Sequence, residues 1–151
     1  MTPRLSYLLP DPRTLAIAAE EVADDDPHKA LRRGRVMAVV TAAGFRDVLT
    51  GCDPDAPFDA VHGELVLTAA GMAPTGRYWT ADGTARTFAD TEGVTDPEHY
   101  RWELEEWTAH LDESNRQVWG PLVTELPEHP DHRGWQGYRL DLAAAAALPL
   151  D

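Results

Sequence analysis

Apolar residues recur along this chain with two different periods, and the switches between them mark the expected elements. The run 5–9 is short and apolar, suited to opening a sheet. Asp11-Pro12 then reads as the cap and first turn of a helix over about 12–23, with Leu15, Ala18, Ala19 and Val22 at helical spacing. Asp24-Asp25-Asp26-Pro27 ends that helix and starts a second one, expected over about 27–43. Its stretch 36–40 is rich in β-branched residues, so a buried strand competes with the helix there. Ala42-Ala43-Gly44 decides for the helix because it resembles a C-terminal stop, and 45–50 then alternates as a strand would.

Residues 51–57 hold two prolines and two aspartates and read as a loop; 63–70 reads as a strand. The sharpest local signal lies at about 76–88, where Asp82-Gly83 separates two alternating runs, the pattern of a tight β-hairpin. Asp96-Pro97 caps a long helix expected over about 97–119, whose apolar stripe is Tyr100, Leu104, Trp107 and Leu111. Gly120-Pro121 breaks that helix, Leu122, Val123 and Leu126 form a short continuation, 127–134 is a polar loop and 136–142 a closing strand. The mixture predicts an α+β fold: one domain over 1–151, a mainly antiparallel sheet, and helices packed on one of its faces.

Charge adds a direction to this picture. The chain has 151 residues, with 26 acidic side chains against 13 Lys and Arg, a formal net charge of -13. Residues 1–46 contain six acids and seven bases, whereas 47–151 contain twenty acids and six bases. Within the first part, Lys29, Arg32, Arg33, Arg35 and Arg46 occur in a stretch without acids; within the second, 90–113 contains nine acids and only Arg101 as a base. Such an excess of carboxylates argues against broad adhesion to nucleic acid or anionic lipid. It favours a basic partner, unless the basic helix simply docks on the acidic one. No run approaches the ~20 apolar residues of a membrane span, and 1–10 has no signal-peptide core, so the expected compartment is the cytoplasm.

Candidate chemistry is sparse. Two serines, Ser6 and Ser114, lie outside any nucleophile elbow, and no phosphate-binding glycine loop occurs. Cys52 is the sole cysteine, which excludes an internal disulfide; Asp53 and Asp55 beside it disfavour a thiolate. His99, Glu103, Glu106 and His110 run along one strip of the long helix, and His129 and His132 flank Pro130-Asp131 in the later loop. These side chains could ligate a borderline-hard metal, although their spacing matches no established ligand motif. No cofactor is otherwise implied, and the poor supply of nucleophiles points away from an enzyme.

Trp102 falls opposite the apolar stripe of the long helix, among Glu98, Glu105 and Glu106. An aromatic anchor ringed by charge has the composition of a binding surface, unless the hairpin bearing Tyr78 and Trp79 covers it. The expected function is therefore that of a small acidic interaction protein, such as an immunity protein, antitoxin or nucleic-acid-mimicking inhibitor. Its surface for a basic protein would comprise Glu98, Trp102, Glu103, Glu105, Glu106, Asp112 and Glu113. The alternatives are a small His/carboxylate enzyme or ligand-binding protein, with or without a metal, and an accessory subunit docking through its apolar segment 143–150.

Overall fold

In the computed structural model, which describes residues 27–51, 55–56, 58–91, 94–127 and 135–149, one helix forms the spine of the fold. This helix, α1 (Pro27–Thr50), is 24 residues long, and every residue from 36 to 46 is buried. Burial on all sides explains why 36–40 shows no amphipathic period and resembles a strand in sequence. The expected stop at Gly44 and strand at 45–50 are corrected: the helix continues for two further turns. Gly44 serves packing instead. A methyl group there would lie 2.5 Å from Leu104 Cδ2 and 2.6 Å from Trp107 Cζ3, so only glycine lets the next long helix approach this closely. The helix ends at Gly51, whose φ of 64° is the left-handed conformation of a helix C-terminus.

Five antiparallel strands form one sheet: β1 (Ala60–Thr68), β2 (Gly71–Thr80), β3 (Ala85–Thr87), β4 (Val123–Glu125) and β5 (Gln136–Asp141), in the order β3-β2-β1-β5-β4. Side chains alternate between its faces. Leu65, Met72, Tyr78, Tyr138 and Leu140 join the helices in one hydrophobic cluster. The tip of the Phe45 ring of α1 meets Gly63, where a methyl group would come within 2.5 Å of Cζ. The expected hairpin is present, with Gly83 at a φ of 86° and Asp82 Oδ1 accepting from the Thr84 N–H at 2.9 Å. Its first strand is longer than expected. It begins at Gly71 and carries Pro74 where β3, which pairs only Arg77–Trp79, does not reach.

The second long helix, α2 (Pro97–Thr108), starts as expected with Asp96 accepting from the His99 N–H at 3.2 Å, but it ends at Thr108, not near 119. Contacts to the end of the β1–β2 hairpin set that end: Thr108 Oγ1 donates to the Met72 carbonyl at 2.8 Å, and the Met72 N–H donates to the Leu111 carbonyl at 2.9 Å. A new turn then begins under its own capping box. The Asp112 side chain accepts from the Ser114 N–H, while the Asp112 N–H donates to Asn115 Oδ1 at 2.9 Å. Buried Asn115 also donates to the His110 carbonyl at 2.8 Å and the Ala30 carbonyl at 3.3 Å, tying this turn to α1. The short helix α3 (Arg116–Trp119) follows, then a 3-10 turn over 120–122, and the expected helical continuation is instead edge strand β4. β5 runs directly into α4 (Leu142–Ala146), capped by Asp141, whose carboxylate accepts from the Ala144 N–H at 3.0 Å. Leu142 and Ala145 are buried in the common core, whereas Ala143, Ala147 and Pro149 are exposed. The expected strand at 5–9 and helix at 12–23 lie outside the described residues.

Candidate acidic interface

The three attachments of α2 fix which of its faces remains open. Leu104 and Thr108 are buried, Trp107 is half-buried against α1, and the opposite side faces solvent. Trp102 stands there with 58% of its surface exposed, the largest exposure of any large hydrophobic among the described residues. The hairpin does not cover it, since Tyr78 and Trp79 are themselves buried elsewhere in the sheet. Its ring neighbour is His99, with centroids 6.3 Å apart. Glu98, Glu105 and Glu106 lie one helical turn from Trp102 and share its face.

The carboxylates of the predicted surface differ in how they are engaged. Glu98 pairs with Arg101 at 2.7 Å, Glu113 with Arg116 at 2.8 Å and Glu103 with His99 at 3.6 Å. Asp112 lies 3.7 Å from Arg33 and caps the following turn, so one contact joins the basic stretch of α1 to the acidic stretch. The charge asymmetry is thus partly consumed inside the fold at Asp112. Glu105 and Glu106 form no ion pair with any described residue. Among exposed pairs such as these, each is worth only about 0–1 kcal/mol, so Glu98, Glu103 and Glu113 can exchange partners readily.

The potential metal strip does not close. No group of three or more His, Cys, Asp or Glu side chains among the described residues is arranged to hold a metal ion. Ligands strung along one helix rise by about 1.5 Å per residue and diverge from any single point. His110 has moreover left the helix, which ends at Thr108. His129, His132 and Cys52 lie outside the described residues.

Beside the Trp102 face, a cleft of about 210 Å³ opens between α1 and α2, lined by Gly44, Asp47, Val48, Gly51, Tyr100, Glu103, Leu104 and Trp107. Asp47 is absent from the sequence-derived set because 45–50 reads as a strand there. Phe45, Val48 and Leu49, spaced three and four apart, carry the helical signal that would have placed it. Going round α2 in steps of about 100° per residue, Glu106 and then Glu103 lie between Trp102 and Trp107. The open face and the cleft therefore adjoin.

A second polar group, on the outer face of the sheet, also escapes the sequence. Glu64 is 1% exposed and accepts from Thr75 Oγ1 at 2.6 Å and Arg77 Nη1 at 3.4 Å. The guanidinium carbons of Arg77 and Arg139 lie 4.8 and 4.0 Å from the ring centroid of Trp79, which is 3% exposed. Nearby, partial burial lowers the pKa of His62 below the ordinary imidazole value, with Asp141 opposing the shift and Arg139 adding to it. These residues come from β1, β2 and β5, and only the register of the sheet brings them together.

The chain matches no protein-family model, no curated protein and no solved structure. Among the described residues no helix is long and apolar enough to cross a membrane.

Proposed function

We propose that this protein is a non-catalytic binding protein for a basic protein partner, which it engages through the solvent side of α2. The observation that carries the proposal is the exposure of Trp102 among carboxylates, with no cation of the described residues over its ring. An indole face is electronegative and is satisfied by a guanidinium or ammonium group. Two other tryptophans have theirs from within the chain, Trp79 from Arg77 and Arg139, and Trp119 from Arg116 at 5.0 Å. Among the described residues no cation lies over Trp102. Glu105 and Glu106 beside it would repel an acidic surface and steer a basic one. Neutralising partners of basic toxins and charge-mimicking inhibitors work through surfaces of this composition, and the protein is proposed to belong to that functional class.

Affinity capture from the native host tests the proposal. The expected result is retention of a basic protein whose yield falls steeply between about 50 and 200 mM salt, as screening of exposed charges requires. Glu105→Lys with Glu106→Lys should abolish that retention while leaving the melting temperature nearly unchanged. Equal retention by the charge-reversed variant, or capture that is indifferent to salt, would rule the surface out.

A further inference from the structure

We infer that the outer face of the sheet holds a site for a small oxyanion, a carboxylate or phosphate group, at the guanidiniums of Arg139 and Arg77 beside His62. Glu64 and Trp79 alternate with Leu65 and Tyr78, which pack against the helices, so this site lies on the opposite face of the sheet. It is separate from the α2 surface and stands or falls without it.

Arg139 carries the inference. The chain has 26 acidic side chains against 13 Lys and Arg, yet half-buried Arg139 forms no hydrogen bond and no ion pair with any described residue. The carboxylates nearest to it in register are engaged elsewhere. Glu64, its partner on β1, accepts from Thr75 and Arg77, and Asp141, two residues along β5, accepts from the Ala144 N–H. What holds Arg139 is the ring of Trp79, 4.0 Å from its guanidinium carbon. Stacking of this kind occupies the face of a guanidinium and leaves its in-plane N–H donors for another acceptor. A carboxylate or phosphate is the acceptor that takes such donors in pairs.

Two further groups converge on the same place. Arg77 precedes Trp79 by two residues on β2, its guanidinium carbon is 4.8 Å from the same ring, and its side chain is 42% exposed. His62 is the register partner of both Trp79 and Asp141 and is close enough to feel the charge of Arg139. Its half-buried imidazole makes no hydrogen bond with any described residue and offers one N–H donor. The register of β1, β2 and β5 sets these donors in advance, so little ordering is needed when a ligand binds. Glu64 balances one of the two guanidiniums, and the capping contact of Asp141 occupies the other nearby carboxylate, so one negative charge is what the cluster lacks. Trp79 is 3% exposed and has no free ring face to offer, which confines recognition to the charged group of the ligand.

The test titrates the full chain with sodium acetate and with sodium phosphate, against sodium chloride at equal ionic strength. NMR follows the Nε–Hε resonance of Arg139 and the indole N–H of Trp79, with the exposed Arg32 and Arg86 as controls. Saturable movement of Arg139 and Trp79 by acetate or phosphate, and not by chloride, is expected. The anion that acts at lower concentration tells a carboxylate ligand from a phosphate one. Arg139→Lys keeps the charge but not the planar donors, and should weaken the response of Trp79 at least about tenfold. If the melting temperature of that variant falls, His62→Phe carries the test and should lose a few-fold in affinity, the worth of one neutral hydrogen bond. No saturable movement with either anion, or undiminished affinity in the variant that carries the test, would overturn the site. Equal movement of Arg32 and Arg86 would overturn it as well, since that is the mark of an adventitious ion only.

Discussion

Trp79 and Trp102 make an instructive pair. Both lie beside charged residues, yet one is 3% and the other 58% exposed. The difference follows from the sign of the charges. Trp79 has guanidinium groups of its own chain over its ring, with buried Glu64 hydrogen-bonded to one of them, so its electrostatic needs are met within the sheet. Trp102 is surrounded by carboxylates, which cannot close over an electronegative ring face. The first arrangement consolidates a fold, and the second is the surface proposed to receive a cation from a partner.

The largest effect that separates the two is on stability. Trp79→Ala should cost about 3–5 kcal/mol, as expected for truncating a buried tryptophan, whereas Trp102→Ala should stay within about 0.5 kcal/mol. Denaturant unfolding of both variants checks this, and equal losses would dissolve the contrast. Gly44→Ala comes next. Overpacking the α1–α2 contact should cost about 1–3 kcal/mol and disturb the Trp107 indole resonance while leaving that of Trp79 in place. Smaller still, Arg139→Met should cost about 0.5–2 kcal/mol, the range of cation–π contacts from exposed to desolvated sites.

The outer sheet face should also show itself in the pH dependence. Partial burial holds the His62 imidazole below its ordinary value of 6.5 in the folded chain. The unfolded chain therefore takes up a proton first as pH falls, so stability is full above 6.5 and declines below it until the folded imidazole titrates. Unfolding midpoints measured from pH 7.5 downward should lose part of this slope in His62→Gln; identical slopes would remove the assignment. Asp82 in the hairpin turn acts at lower pH. Hydrogen bonds from Thr80 and Thr84 hold its carboxyl at about 2, so its contribution is present above 3.8 and lost as pH falls towards about 2.

Legibility in the sequence tracked how local each determinant was. Asp82-Gly83 and Asp96-Pro97 announce a turn and a cap through their own backbone preferences, and both features are present where expected. The α+β class and antiparallel sheet were likewise legible, because alternation and helical spacing are properties of short windows. Gly44 was misread because its reason lies sixty residues away, in Leu104 and Trp107. The end of α2 at Thr108 depends in the same way on Met72, and Asp112 with Asn115 was the only local hint of a new turn. At the candidate interface, the direction of Trp102 followed from counting residues round a helix. Asp47, by contrast, required α1 to be known as one continuous helix, and the cluster around Trp79 required the register of three strands.

Hydroxyl-radical footprinting of the chain, alone and with its captured basic partner, tests the central claim most directly. Free in solution, Trp102 should be oxidised much faster than Trp79, in line with their exposures. On binding, oxidation of Trp102 should fall several-fold while that of Trp79 stays low and unchanged. Oxidation of Trp102 at the same rate in the free and bound chain would contradict the claim that its surface receives the partner.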